Sequence, residues 1–250
     1  MEQVESPAYK ALPTPTPALV GQSIDSLLAP ALKPKQGPSI PKLIGQLRKE
    51  GDNAMSYDAP MKIGGVVTLA QYAALQRWLT NPGNASEIWR TGATTIESSD
   101  TAEVALTRKI AEISTDIGAS ADVSGIIDAD GETIDLTIKP KYTGVLGWLS
   151  KGSDGKPILT TTKNGTVVFS EGSTDKPLVV SVWDGQTVLV GCDKLELQPG
   201  AAGGKPKVVC KGVLIMITVH IVDQHGAKLP DREEEDVVPL PNPSPASPTH

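Results

Sequence analysis

The chain has 250 residues, of which 39% are hydrophobic, and a formal net charge of −6. This length can bury a core in one or two domains, and a modest acidic charge without a long basic patch argues against a nucleic-acid partner. With one Phe, four Trp and four Tyr, the core must consist mostly of Val, Ile and Leu, a composition that favours β structure. We therefore expect a mainly β fold with a short helical entry.

The two ends of the chain differ from its middle in composition. Residues 1–22 contain Pro13, Pro15 and Pro17, and residues 229–250 are first acidic and then rich in proline. Such segments rarely bury enough apolar surface to fold. We predict disordered termini at 1–22 and 229–250, a helical or irregular lead-in at 23–60 and a β domain at 61–228. The first residues lack the basic and apolar regions of a secretory signal peptide.

Two helices are predicted before the strands. The first covers residues 39–50, with Ser39 as its N-cap and Gly51 as its end. The second covers residues 68–80, where Thr68 and Gln71 match a capping box. Apolar residues recur there at helical spacing, so we expect one face to pack inward; they are Leu69, Tyr72, Leu75 or Gln76, and Leu79. The sequence Asn81-Pro82-Gly83 should terminate it.

From residue 87 onward, apolar runs and alternating patterns predict β-strands. The expected strands are 87–97, 102–113, 119–127, 133–142, 158–162, 166–169 and 208–222. The last contains Val213 to Ile217, which are apolar on both faces, as in a strand that is buried on both sides or faces lipid on one side. The architecture is therefore expected to be largely antiparallel.

Two dipeptides indicate tight hairpins between such strands. Asn164-Gly165 and Asp184-Gly185 both lie between apolar runs, and these pairs favour two-residue turns in which both central residues have positive φ. We predict a β-hairpin at each.

No residue cluster predicts catalysis, a cofactor or a metal ion. Cys192 and Cys210 are the whole cysteine complement and are expected to be free thiols, although a disulfide between strand edges stays open. Asp128 to Gly131 resembles the start of a calcium loop but lacks the later ligands, so a turn is expected. His220 and His225 lack a third ligand near them. A hydrolase on a β-sandwich therefore has no residues to support it, and we expect a protein that is not an enzyme.

Four segments in order resemble the C-terminal domain of bacterial secretins, the ring-forming outer-membrane channel subunits of type II and type III secretion and type IV pilus systems. The segments are Gly65-Val-Val-Thr-Leu-Ala-Gln71 with its helix, residues 116–124 followed by 130–140, Val182-Trp-Asp-Gly-Gln-Thr-Val-Leu-Val-Gly191, and Val213-Leu-Ile-Met-Ile-Thr-Val-His-Ile-Val222. Together they span about residues 61–225. The residues that match the family's motifs are Gly118, Gly131, Ile134, Leu136, Trp183, Asp184, Gly185, Gln186, Thr187, Gly191, Leu214, Ile215, Ile217 and Thr218.

The resemblance implies a structural role for these residues, with Trp183 to Gly191 as a hairpin and Gly212 to Val222 as a closing strand that returns beside it. It further implies a cell-envelope or outer-membrane location, self-association into a homo-oligomeric ring, contact with other secretion or pilus components, and contact with the membrane. The chain departs from the family at Cys192, where a Gly is usual, and at Val219, where a Pro is usual. Residues 193–211 replace the segment that builds the membrane-contacting rim. The alternative is a soluble β-rich binding or scaffold module, derived from a secretin domain, that forms no pore.

Overall fold

The computed structural model describes residues 35–50, 54–81, 88, 90–110, 113–200, 206–223 and 225–227. These residues form two β-sheets and two helices. The strands are β1 (Lys35–Gln36), β2 (Arg48–Glu50), β3 (Ala54–Pro60), β4 (Lys62–Val67), β5 (Thr101–Ile110), β6 (Ile113–Ile127), β7 (Thr133–Lys151), β8 (Pro157–Thr160), β9 (Thr166–Ser173), β10 (Leu178–Trp183), β11 (Thr187–Gln198) and β12 (Lys207–Thr218). The helices are α1 (Ile40–Ile44) and α2 (Leu69–Thr80).

Sheet A has four strands in the order β1-β12-β11-β4, and sheet B has eight. The path of sheet B is β2-β3-β9-β7-β6-β5, and both β8 and β10 also pair with β7. The 19 residues of β7 make it the central strand, with β6 and β8 on one side and β9 and β10 on the other. Only β3 and β9 run parallel; the other pairs in the described part are antiparallel. The predicted mainly β, largely antiparallel fold is confirmed.

The main core lies between the two sheets. Leu136 and Ile138 of β7 pack there with Val188 and Val190 of β11, and all four side chains are buried. A second buried cluster, around Leu43, Leu146 and Val168 of one side and Leu195 and Leu197 of the other, continues the interface toward α1. Sheet A is therefore held against sheet B along the whole length of β11.

Helix α2 covers the opposite face of sheet A. Leu75 of the helix is buried against Val67 and Leu189, with Leu214 and Met216 of β12 packed beside them. Ile215 and Ile217 of β12 instead contact the core between the sheets. The apolar residues on both faces of β12 are thus explained by a three-layer arrangement of sheet, sheet and helix.

The first predicted helix is shorter than expected. Helix α1 ends at Ile44 with Gly45 as its C-cap, Ser39 makes no side-chain cap bond, and residues 48–50 form β2 instead of continuing the helix. Pairing of β2 with β3 overrides the weak local helix preference. Residues 54–60, expected in an irregular lead-in, form β3 within sheet B. Helix α2 is confirmed, including its capping box, and Asn81 is its C-cap; Pro82 and Gly83 lie outside the described residues.

The strand predictions are partly confirmed. No strand is found at 88 or 90–97, the described part of the predicted 87–97 strand, so this prediction is wrong. The three strands that follow, β5, β6 and β7, pair in sequence as an antiparallel meander. β7 continues nine residues beyond the predicted end at Tyr142 because β8 and β9 extend its ladders on both sides.

Both predicted hairpins are wrong, whereas the turn at residues 128–131 is confirmed. β8 and β9 lie on opposite sides of β7, so residues 161–165 pass across β7 beside Leu149 and Asn164-Gly165 joins no hairpin. Likewise β10 pairs with β7, whereas β11 pairs with β12 and β4 in the other sheet. The turn at 128–131 closes the β6–β7 hairpin, where Gly131 has a φ of +73°.

Other predictions concern the thiols and the chain ends. Cys192 and Cys210 are both free. The predicted disordered segments 1–22 and 229–250 lie outside the described residues. Among the described helices, none is long and apolar enough to cross a membrane.

Candidate functional site

The turn at Asp184-Gly185 connects the two sheets. It follows the last residue of β10 in sheet B and leads into β11 in sheet A. Gln186 N donates to Trp183 O at 3.1 Å, and Gly185 has a φ of +78° while Asp184 has a negative φ. Positive φ at only the second central residue is typical of a type II turn, not the type I′ turn of a tight hairpin.

Backbone hydrogen bonds attach this turn to two other parts of the chain. Asp184 N donates to Glu132 O in the β6–β7 loop at 3.2 Å. Gly185 N donates to Val219 O at 2.9 Å, and Val219 N donates to Gln186 O at 3.2 Å. The turn therefore holds the β6–β7 loop and the residues after β12 at one end of the sandwich.

The carboxylate of Asp184 fixes the segment that follows β12. One of its oxygens accepts a hydrogen bond from Ile221 N at 2.8 Å and lies 3.4 Å from His220 Nδ1. A Cβ added at Gly185 would lie 3.7 Å from the His220 ring, so the imidazole packs over the turn. This carboxylate–imidazole pair can form an ion pair when His220 is protonated, and its geometry orients the chain after β12.

Behind the turn, β11 and β12 begin a continuous antiparallel ladder. Thr187 is fully buried, and its Oγ1 lies 2.8 Å from Thr218 Oγ1 on the neighbouring strand. Gly191 faces Leu214 further along the same ladder. The closing strand thus returns beside β11, as the motif order indicates.

Thirteen of the fourteen motif residues gather around this junction or along the strands that leave it. Ile134, Leu136, Ile215 and Ile217 belong to the core beside it. Gly131 lies in the loop that the turn contacts. Gly118 is the exception, because it lies near the other end of β6, opposite Thr107 of β5 and Thr143 of β7.

A cavity of about 340 Å³ lies beside Gly118 and has no signal in the sequence. It lies beside the part of β7 between Thr143, where pairing with β6 ends, and Trp148, where pairing with β8 begins. Lys211 Nζ and Glu196 Oε2 form an ion pair, 2.6 Å apart, at its wall. Its lining residues come from five strands: Arg108, Ile110, Ile117, Gly118, Tyr142, Thr143, Gly144, Val145, Lys194, Leu195, Glu196 and Lys211. Because they are scattered along the chain, no motif could have revealed them.

The acidic loop at residues 128–131 is used for turn formation. Asp130 accepts hydrogen bonds from Glu132 N at 2.9 Å and Thr133 N at 2.8 Å, and its other oxygen accepts from Thr133 Oγ1. These bonds to Thr133 and Glu132 lower the pKa of the Asp130 carboxyl. Among the described residues, no group of three His, Cys, Asp or Glu side chains is arranged to hold a metal ion.

Several large apolar side chains on the outer face of sheet B are exposed. Trp183 is 54% exposed, Val179 66% and Ile126 56%. The registers place Val179 beside Thr137 and Ser124, and Ile126 beside Asp135 and Ser181. Exposed apolar residues of this size are typical of interaction surfaces when they lie close together.

No family model, curated protein or solved structure matches this chain in the comparisons made. The resemblance to secretins therefore stays a prediction from four sequence segments, and the described geometry is the basis for a functional proposal.

Proposed function

We propose that this protein is a secretin-like subunit of a bacterial secretion or type IV pilus system, and that it acts by assembling into a ring. The observation that carries the proposal is a pair of open edges on the antiparallel unit β10-β7-β6-β5. In the described part of the chain, β10 pairs only with β7, and β5 pairs only with β6. Open edges are surfaces on which a strand from another chain can pair.

The directions of these two edges match. Because each neighbouring pair in the unit is antiparallel, β10 runs opposite to β5. A neighbour's β10 placed beside β5 would therefore continue the same antiparallel pattern. Such a head-to-tail contact uses two different surfaces, and contacts of this kind generate rings when the rotation between subunits closes.

The side chains at the edges are compatible with this contact. Val179 on β10 is exposed, and on β5 the residues Thr101, Glu103 and Ala105 are exposed while Ala102 and Val104 are half-buried. This alternation gives β5 the pattern of a strand with one face toward a core. Neither edge carries a proline, which would remove a donor needed for pairing.

The polar character of the outer face favours the second candidate, a soluble binding or scaffold module that forms no pore. Asp135 and Ser181 hydrogen-bond at 2.5 Å among the exposed apolar residues of this face. Lys139 and Asp122 are paired in register and both are exposed. A face that contacts lipid would be expected to be apolar at these positions.

The experiment is the molar mass of the full chain, measured by light scattering after size exclusion with and without mild detergent. The ring proposal predicts a discrete species of many subunits. Val179→Lys should reduce it to a mass near 26.2 kDa, because a charge on an edge strand opposes pairing. Ile158→Lys is the matched control, since Ile158 is also exposed but belongs to β8.

A single chain under all conditions would contradict the ring and support the soluble module. Equal loss of assembly in both variants would show that β10 is not the pairing edge.

A further inference from the structure

Most of one edge of β12 is open in the described part of the chain. On that side, β1 pairs only with Cys210 and Val209, and residues 211–218 have no partner strand. Gly37 N donates to Val208 O at 3.0 Å, which fixes the alternation of hydrogen-bonded and non-hydrogen-bonded pairs along this edge. It follows that the backbone N–H groups of Gly212, Leu214, Met216 and Thr218 point toward the open side.

The space beside β12 is also bordered by apolar residues of sheet B. β11 contacts β7, and β12 shares the core with Ala121 and Val123 of β6. The next position in sheet A therefore lies over β5, the strand beside β6. Ala102 and Val104 of β5 are in register with Val123 and Ala121 and are only half-buried. Sheet A thus has room for one more strand with an apolar inner face.

The register of β1 identifies which residues of the chain would reach this space. Lys35 lies opposite Cys210 and Gln36 opposite Val209, with the strands antiparallel. Continued without a break, the register places residue 34 opposite Lys211 and residue 27 opposite Thr218. Residues 27–34 precede the described part of the chain. Their sequence is Leu-Leu-Ala-Pro-Ala-Leu-Lys-Pro, in which the first six residues are all apolar.

The two prolines fall where this register tolerates them. Residues opposite Ile215 and Lys211 occupy non-hydrogen-bonded pairs, in which the N–H points away from β12. Pro30 and Pro34 take these two positions, so neither removes a hydrogen bond to β12. A proline facing outward on an edge strand also blocks the addition of further strands.

The side chains fit both layers that flank β12. Leu28 would lie opposite Ile217 and face the core, whereas Ala29 and Ala31 would lie opposite Met216 and Leu214 on the side that α2 covers. We propose that residues 27–34 of this chain bind the open edge of β12 as an antiparallel strand. This strand extends β1 along the remaining edge of β12. It leaves the β5 and β10 edges free, so the proposal is independent of ring assembly.

Hydrogen exchange of the full chain tests the proposal directly. The amides of Gly212, Leu214, Met216 and Thr218 should be protected. Leu28→Asp should speed their exchange by about tenfold or more, because residues 27–34 would no longer be bound to β12. Leu19→Asp is the control, since residue 19 lies outside the register. Rapid exchange of these amides in the unmodified chain, or the same change in both variants, would overturn the proposal.

A disulfide tests the register and identifies the donor chain. In a Cys192→Ala, Cys210→Ala background, Leu28→Cys with Ile217→Cys places two thiols at a non-hydrogen-bonded pair, where side chains are closest. Oxidation should give a cross-linked single chain. Leu27→Cys with Ile217→Cys, offset by one residue, should cross-link far less. Equal cross-linking of the two variants would contradict the register, and cross-linked dimers would show that a second copy donates the strand.

Discussion

Gly118 adopts a φ of +143° in β6, where it is paired with Thr107 of β5. A Cβ at this position would lie 2.1 Å from Leu106 O and 2.9 Å from Thr107 Cα. Contacts this short cannot be accommodated without moving the backbone, and side chains rarely adopt this φ. The motif predicted a structural glycine here, and the close approach of β5 gives the physical reason.

Gly118→Ala should therefore destabilise the protein. We expect the free energy of unfolding to fall by about 3 kcal/mol, combining backbone strain with a steric clash. Urea denaturation followed by circular dichroism measures the change. Gly92→Ala is the matched control, because Gly92 has no atom within 4 Å of an added Cβ and no left-handed φ, and it should have little effect.

Cys192 shows how packing changes the chemistry of a thiol. Its Sγ would lie 2.5 Å from a Cβ added at Gly172 on the facing sheet, so a glycine makes room for it. Burial, with smaller contributions from Asp193 and Cys210, raises the pKa of the Cys192 thiol from 9.0 to about 12. The native protein therefore keeps this thiol protonated under conditions in which the unfolded chain would ionise it.

This pKa difference predicts a loss of stability at alkaline pH. The folded state binds the proton more tightly, so the contribution is fully present below pH 9 and is lost as the pH rises toward 12. Urea denaturation of the unmodified protein and of Cys192→Ala at several pH values isolates it. The stability of the unmodified protein should fall more steeply between pH 9 and 11 than that of the variant. Equal slopes would contradict the prediction.

At the scale of elements, α2 is the clearest case in which local and tertiary signals agree. The capping box of Thr68 and Gln71 fixes its start. Leu75 is 1% exposed against sheet A, whereas Leu69 in the first turn is 67% exposed. Sequence periodicity predicted that both residues lie on one inward face. Leu69 is nevertheless exposed, because the first turn of the helix extends beyond the part that contacts sheet A.

Leu75→Ala should lower the free energy of unfolding by about 2–4 kcal/mol, since it leaves a cavity between the helix and sheet A. Leu69→Ala removes the same atoms from an exposed position of the same helix and should change it by less than about 0.5 kcal/mol. Thermal and urea denaturation of the two variants make the comparison. Similar effects in both would show that α2 is not packed as described.

At the scale of the whole molecule, β11 changes which side chains it directs toward sheet B. Val188 and Val190 face the main core, but further along Leu195 and Leu197 do so instead. The pairing of β11 with β12 continues without a break through this change. Beside it, Leu195 N donates to Ser170 Oγ on the other sheet at 2.9 Å, within the buried interior.

Ser170→Ala removes this hydrogen bond between the sheets. We expect a decrease of about 1–3 kcal/mol in the free energy of unfolding, because a buried hydrogen-bonding group loses its partner. Ser153→Ala, in the exposed loop before β8, is the control. Urea denaturation should separate the two variants; no difference between them would mean that the Ser170 bond contributes nothing to joining the sheets.

The sequence by itself determined features that depend on neighbouring residues. These include the β-rich composition, the capping box of α2, the turn at Asp128 to Gly131 and the alternation along β7, because caps, turns and strand periodicity arise within a few residues. The motif order also predicted that the closing strand would lie beside β11. Of the candidate site, they account for the β6–β7 turn and for the strand that returns beside β11.

Only the tertiary structure decided which strands pair. Asn164-Gly165 and Asp184-Gly185 both carry a hairpin signal. The strands that flank Asn164-Gly165 pair with opposite sides of β7, and the strands that flank Asp184-Gly185 belong to different sheets. Local turn preferences amount to little beside the burial of Val188, Val190 and Leu136 between the sheets. Strand edges and the cavity beside Gly118 likewise arise from residues that are distant in the chain.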